Sequence, residues 1–200
     1  MSQFEKYKVD VPEGKKNSYS VKRFTVSQEQ SDRDVLRAMI NGSGRYVPPG
    51  DYTMLVYGNS STIMSDTPDE IRDHLEPIRK AYGKCLVNGL GLGVVINGML
   101  LNHEVEEVTC IEISPEVIEL VAPHWQNRWG DRFKCICANA MDWKPPKGSM
   151  FNVVWHDIWP NICSDNLNDM IKLHRKYGCR CKWQGSWARP LCEHLRKHNI

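Results

Sequence analysis

The hydrophobic pattern along the chain alternates between short apolar runs and longer stretches with helical periodicity. Four runs have the length and character of buried parallel strands, and a fifth is more polar. These runs fall at residues 85–87, 108–111, 132–137, 151–155 and 179–184. Helical patterns follow four of them, at residues 94–101, 114–124, 164–177 and 186–198. The alternation predicts an α/β fold, a Rossmann-like and mostly parallel sheet with helices on both faces.

The first 66 residues show a different pattern, which predicts a small β-rich segment. Residues 1–18 are polar and predict a loose segment, residues 19–26 a strand and residues 27–40 a helix. Residues 52–57 and 61–64 predict a hairpin that turns at 58–60. A helix over residues 67–82, with Pro68 just inside its start, leads into the first parallel strand. We therefore divide the chain into a hairpin and helix segment at 1–66 and a Rossmann-like domain at 67–200.

A glycine-rich turn connects the first parallel strand to the helix after it. Residues 88–93 read Asn-Gly-Leu-Gly-Leu-Gly. Glycines allow positive φ angles and let a ligand approach the backbone closely. The second strand ends at Glu112, about 20 residues after the turn, where a carboxylate can accept hydrogen bonds from ribose hydroxyls. The order of strand, glycine turn, helix, strand and acid is typical of a nucleotide-binding βαβ unit.

The stretch over residues 84–119 resembles the class I S-adenosylmethionine-dependent methyltransferases. Within that fold it is most similar to the spermidine synthase-like branch, whose corresponding segment reads much like Ile-Glu-Ile-Ser-Pro-Glu-Val-Ile-Glu-Leu at residues 111–120. A dinucleotide-binding turn would have Gly or Ala at position 94, where this chain has Val94. The family usually carries an acidic residue near the start of the glycine turn, where this chain has Asn88.

The resemblance implies S-adenosyl-L-methionine as the cofactor. The glycines would shape the turn against the amino-acid side of the ligand, Glu112 would hold the ribose and Asn139 the adenine amino group. An amide can both donate to and accept from the adenine edge, although Asn139 equally fits a loop residue that caps a turn. The implied cofactor-binding residues are Asn88, Gly89, Gly91, Gly93, Glu112, Ile113, Asn139 and Ala140.

The end of the fourth strand supplies two candidate catalytic residues, His156 and Asp157. Ligands of open α/β sheets bind beyond the carboxyl ends of the strands, so Asp157 is expected to face the same crevice as Glu112. Neighbouring side chains on a strand point to opposite faces, and we therefore favour Asp157 over His156, which equally suits a packing role. Spermidine synthases place an Asp-Ser-Ser-Asp segment here, of which only Asp157 matches because Pro160 replaces the second acid.

The composition is that of an ordinary globular chain. It has 200 residues and 23.1 kDa with 41% hydrophobic residues, and it lacks both an apolar run of about 18 residues and a hydrophobic signal core. We expect a cytoplasmic protein with no membrane partner. Several of the eight cysteines fall inside predicted strands, which indicates reduced, buried thiols. The spacing of Cys179, Cys181, Cys192 and His194 does not match a standard zinc site, and we predict no metal.

The charge is uneven, because residues 172–200 carry eight Lys or Arg and one acid within a chain of net charge +2. Such a basic tail can contact nucleic acid, or it can be a solvated helix. A full class I methyltransferase sheet has seven strands, and this chain has no room for the last two. The missing pocket wall would come from the N-terminal segment or from a second subunit of a homodimer.

The resemblance therefore implies a methyltransferase that acts on an unidentified acceptor. Two alternatives remain open. One is aminopropyl transfer of the spermidine synthase kind, which the missing second acid disfavours because a cationic amine favours a carboxylate-rich pocket. The other is a non-catalytic nucleotide-binding or nucleic-acid-associated module.

Overall fold

The computed structural model describes residues 4–42, 46–59 and 61–198. These residues form a four-stranded antiparallel sheet and a five-stranded parallel sheet with helices around it. The α/β fold class predicted from the sequence is confirmed. No helix in the described ranges is both long and apolar enough to cross a membrane.

The N-terminal sheet has the order β1-β2-β3-β4, with each neighbouring pair antiparallel. Its strands are β1 (Gly14–Lys16), β2 (Tyr19–Val26), β3 (Gly50–Tyr57) and β4 (Ser61–Ser65). Strands β3 and β4 form the predicted hairpin; Ser60 in its turn lies outside the described residues. Residues 14–16 pair with β2, although the sequence predicts a loose segment there, and Lys16 also forms an ion pair with Glu119 at 2.5 Å.

Helix α1 (Gln28–Ile40) begins at a capping box, in which Ser27 and Gln30 satisfy each other's backbone N–H groups. The helix predicted over residues 67–82 is two helices, α2 (Pro68–Asp73) and α3 (Leu75–Lys80), which meet at His74. Pro77 explains the break, because a proline ring lacks an N–H and clashes with the carbonyl four residues earlier, here that of Asp73.

The parallel sheet has the order β7-β6-β5-β8-β9, which corresponds to the order 3-2-1-4-5 of a doubly wound fold. The strands are β5 (Gly83–Asn88), β6 (Val105–Glu112), β7 (Phe133–Cys137), β8 (Phe151–His156) and β9 (Cys181–Ser186). The helices are α4 (Val94–Leu100), α5 (Pro115–Trp129), α6 (Asn166–Tyr177) and α7 (Arg189–His198). The chain leaves β5 towards β6 and β7 on one side and returns to β8 and β9 on the other, so the switch point lies between β5 and β8.

The core joins the two sheets. Val21 and Leu55 of the N-terminal sheet belong to the same buried cluster as Val87 of β5 and Trp125 of α5. A second cluster on the opposite face of the parallel sheet includes Leu173 from α6. The N-terminal sheet therefore packs over the α4 and α5 side of the parallel sheet, close to the carboxyl ends of its strands.

Candidate functional site

A cavity of about 360 Å³ lies beyond the carboxyl ends of the parallel strands. One part of its lining follows β5, β6, β7 and β8, another comes from the N-terminal sheet and α2, and Trp187 after β9 completes it. This volume falls within the range of small-molecule sites. The cavity brings together seven of the ten predicted site residues: Gly89, Gly91, Glu112, Ile113, Asn139, Ala140 and Asp157.

The glycine turn adopts backbone conformations that other residues rarely take. Gly89 has φ 101° and Gly93 has φ 82°. A Cβ atom at Gly89 would overlap the carbonyl oxygen of Asp157, and one at Gly93 would overlap the indole of Trp125. The indole Nε1 of Trp125 also donates to the Leu92 carbonyl at 3.0 Å. The turn therefore needs glycine for its own packing, and Gly93 does not line the cavity.

Glu112 ties the glycine turn to the helix after β6. Its carboxylate accepts hydrogen bonds from the backbone N–H of Leu90 and of Ser114, each at 2.8 Å. The residue is 9% exposed and lines the cavity. A carboxylate has about four acceptor sites, so both oxygens keep a lone pair for a ligand.

Asn139 lies at the cavity, but its side chain is already bonded within its own turn. Its Oδ1 accepts from the Met141 N–H at 2.9 Å, and its Nδ2 donates to Asp142 at 2.9 Å. The Lys176 ammonium holds the same loop by donating to the Ala140 carbonyl at 2.8 Å. This is the turn-capping arrangement that the sequence left open for Asn139.

Asp157 follows β8 and faces the cavity with 21% of its side chain exposed. Burial first, and then the charges of Glu70, Asp73 and Glu112, raise the pKa of this carboxyl to about 7. Near neutral pH the group therefore carries a proton about half of the time.

His74 and Glu70 also line the cavity and were missed from the sequence. The His74 Nε2 lies 3.6 Å from Asp157 Oδ2, and burial lowers the pKa of this imidazole to about 4, so it is neutral. Glu70 accepts from the backbone N–H and the hydroxyl of Ser65 at 2.7 and 2.9 Å, and burial raises its pKa. Pro77 was the available signal, since it predicts the helix break that brings His74 to the cavity.

Asn88 and His156 lie away from the cavity, within the parallel sheet. Both are fully buried, and the Asn88 amide contacts His156 Nδ1 at 2.7 Å. The other ring nitrogen approaches Gln184 at 3.4 Å, and burial lowers the pKa of His156 to about 3. Of the two adjacent candidates, the structure places only Asp157 at the cavity.

The N-terminal sheet supplies part of the cavity lining. Tyr19, Ile63 and Met64 line it, and the Met64 sulfur accepts a hydrogen bond from the Leu92 N–H at 3.3 Å. A Cβ atom at Gly91 would lie 2.5 Å from that sulfur. The hairpin therefore forms part of the cavity wall within one chain.

The cavity is acidic. Glu70, Glu112 and Asp157 line it, and no Lys or Arg does so among the described residues around it. No group of three or more His, Cys, Asp or Glu side chains that could hold a metal ion occurs within residues 4–42, 46–59 and 61–198.

The basic residues of the tail lie on α6, β9 and α7, where Arg196 donates to the Ser164 carbonyl at 3.0 Å and Arg189 to Glu193 at 2.8 Å.

These features fit S-adenosylmethionine in part. The carboxylates suit a sulfonium cation, Glu112 has free acceptor sites, and Ile113 and Val117 offer apolar surface. Asn139 fits the adenine role less well because one donor and one acceptor site of its amide are already used within its own turn. The Leu92 N–H of the glycine turn already donates to the Met64 sulfur and is therefore not free for the cofactor.

Comparisons with known proteins match no family model and no curated protein. Among solved structures, the chain is 14% identical to the N-methyltransferase NodS of Bradyrhizobium japonicum in complex with S-adenosyl-L-homocysteine, over 64% of this chain and 67% of that one, with a TM-score of 0.48. A proposed RNA methyltransferase of Pyrococcus horikoshii gives 14% identity, 64% and 62% coverage and a TM-score of 0.45. The 23S rRNA methyltransferase ErmE is 14% identical over 58% of this chain and 43% of that one, with a TM-score of 0.45.

These three structures are methyltransferases by name, and none is described as a spermidine synthase. The chain spans 62% of the Pyrococcus protein and 43% of ErmE. With 14% identity and TM-scores below 0.5, these similarities do not bear on substrate or reaction. The fold assignment rests on the strand order of the chain itself.

Proposed function

We propose that this chain binds S-adenosylmethionine or a close relative and transfers a methyl group to an acceptor. One observation carries the proposal: the glycine turn, Glu112 and Asp157 lie at the carboxyl ends of three adjacent strands and meet at a single cavity at the switch point of the sheet. The resemblance of residues 84–119 to methyltransferases supports it. In such a transfer the protein chiefly aligns the reacting groups and excludes water, so few catalytic side chains are needed.

In this proposal Glu112 accepts hydrogen bonds from the ribose hydroxyls through its free lone pairs. Gly89 and Gly91 shape the turn, while Ile113 and Ala140 flank the adenine. Asn139 would contact the adenine edge through its second amide hydrogen and its second oxygen lone pair, which the bonds within its own turn leave unused. Asp157 lies beside the cationic centre. Asn88, Gly93 and His156 support this arrangement from within the fold.

The ribose assignment can be tested from the ligand side, which leaves the protein intact. We expect S-adenosylhomocysteine to bind at least tenfold more tightly than its analogue without ribose hydroxyls, because a hydrogen bond to a charged group contributes about 1.5–3 kcal/mol. The Glu112→Gln variant should lose most of this preference. Isothermal titration calorimetry measures both affinities.

The control is Glu106→Gln, which changes an exposed residue of the same strand. It should bind both ligands as the unaltered protein does. Equal affinity for the two ligands in the unaltered protein would show that Glu112 does not hold the ribose. Absence of binding for both would refute the cofactor proposal.

A second candidate is aminopropyl transfer from decarboxylated S-adenosylmethionine. Glu70 favours it, because this residue gives the cavity a carboxylate that the segment ending at Pro160 lacks. Incubation with each cofactor and a diamine, followed by mass spectrometry, separates the two reactions. An aminopropylated product would replace the methyl-transfer proposal. Nucleic-acid contact through the tail, a homodimer and a cytoplasmic location stay predictions.

A further inference from the structure

The carboxylates around the cavity come from three separate elements. Glu70 belongs to α2, Glu112 ends β6 and Asp157 follows β8. Asp73, also in α2, adds a further negative charge that Asp157 senses. No Lys or Arg of the described chain lines the same space. Like charges that face one cavity favour the protonated form of one member of the group.

The groups that face Asp157 from the other surrounding elements do not supply the missing positive charge. The His74 imidazole is 3.6 Å away and 3% exposed, and its Nδ1 finds no partner in the described part of the chain. Tyr19 from β2 and Trp187 after β9 contribute aromatic rings, and α5 contributes Val117. Aromatic rings beside a cavity are compatible with a bound cation, because ring faces carry negative electrostatic potential.

We infer that this cavity is a proton-linked cation site, in which Asp157 gives up a proton to the solvent when a sulfonium or ammonium group enters. For a sulfonium ligand the inference rests on the proposed function. The acid group breaks its O–H bond, the proton passes to the buffer, and the resulting carboxylate faces the positive charge. Ligand binding and proton release are then thermodynamically coupled.

The pKa of Asp157 sets the pH range of this linkage. Burial and the neighbouring acids raise that pKa to about 7, and a bound cation lowers it again. Below pH 7 the cation must displace the proton, so its affinity falls with decreasing pH. A group of this pKa makes cation binding about tenfold tighter at pH 8 than at pH 6.

The test is isothermal titration calorimetry on the full chain at pH 6, 7 and 8, in phosphate and in Tris, whose protonation enthalpies differ. The probes are S-adenosylmethionine, its uncharged-sulfur counterpart S-adenosylhomocysteine, and putrescine. We expect the two cations to bind about tenfold more tightly at pH 8 than at pH 6 and to release about half a proton at pH 7. The homocysteine ligand should show no such release from Asp157.

The Asp157→Asn variant provides the reference, because it keeps the shape of the side chain and cannot titrate. The ligand's own amino group titrates in the same way with both proteins, so the difference between the two pH profiles reports on Asp157 alone. Asp131→Asn, an exposed site in the turn before β7, is the matched control and should keep the full pH dependence. Glu70→Gln should move the midpoint of the profile to lower pH, and it serves if the Asp157 variant fails to fold.

The outcomes separate this inference from the proposed function. If the adenosyl ligands bind and the pH profile is the same in Asp157→Asn, the proton linkage is wrong and the cofactor proposal stands. If only putrescine binds, with a profile that Asp157→Asn removes, the cation site stands and the cofactor proposal fails. If no probe binds, both are overturned.

Discussion

Replacing Asp157 by Asn should make the protein more stable at neutral and alkaline pH. The folded state raises the pKa of this carboxyl from 3.8 to about 7, so ionising it in the cavity costs free energy. A tenfold change in proton affinity corresponds to about 1.4 kcal/mol, which gives an upper limit of about 4 kcal/mol. Since the side chain keeps 21% exposure, local water reduces the effect, and we expect about 2–4 kcal/mol.

The sign follows from proton linkage. The folded state binds the proton more tightly than the unfolded state, so stability from this group is complete below pH 4 and is lost as the pH rises through 7. Asn cannot ionise and escapes this loss. The stability difference between Asp157→Asn and the unaltered protein should therefore grow from near zero at pH 4 to its full value above pH 7.

Urea unfolding at pH 4, 6 and 8.5 measures this difference, provided that the slope of unfolding free energy against urea stays constant. Asp131→Asn is the control, and a change at its exposed site should stay within about 0.5 kcal/mol at each pH. If the stability difference does not vary with pH, or if Asp157→Asn is less stable than the unaltered protein at pH 8.5, the argument that Asp157 is buried beside other carboxylates is refuted.

Two further predictions concern the turn and the sheet behind it. Gly93→Ala should lower the free energy of unfolding by about 2–4 kcal/mol in thermal unfolding, because the added Cβ overlaps the Trp125 indole. Gly148→Ala, at a glycine with φ 84° and open space around it, should lower it by only about 1 kcal/mol. Equal losses would exclude the steric explanation. His156→Leu should lower the free energy of unfolding in urea by about 1–3 kcal/mol, since it removes the imidazole that contacts the buried Asn88 amide, and adding Asn88→Leu should recover part of this loss. A double variant with additive losses would contradict that pairing.

Local signals were sufficient to predict the parallel sheet and several of the residues that line the cavity. Four of the five strands of this sheet are short apolar runs, and the glycine turn and Glu112 lie next to two of them in sequence. Glu112 and Asp157 come to one cavity because parallel strands end at the same edge. The alternation of side chains along β8 also indicated that only Asp157 of the adjacent pair need reach the cavity.

The rest of the site depends on long-range packing that no local pattern contains. Met64 meets the glycine turn only because the N-terminal sheet packs over it, 28 positions away from Leu92 in sequence. The sequence pattern places His74 and Glu70 in one continuous helix, whereas the structure divides that helix at His74, and both residues line the cavity. The bonds that occupy Asn139 are made within its own turn, and the sequence left this arrangement open as one of two.

The stability argument and the binding argument for Asp157 have the same physical origin. Buried carboxylates without a basic partner destabilise a fold, and apolar side chains of similar size would fill the same space at lower cost. Glu70, Glu112 and Asp157 nevertheless meet around one cavity. A ligand that brings a positive charge removes the repulsion among them and restores the lost stability by mass action. A cation that returned the pKa of Asp157 from about 7 to its ordinary value would offset the same free energy that Asp157→Asn should gain in the unliganded protein.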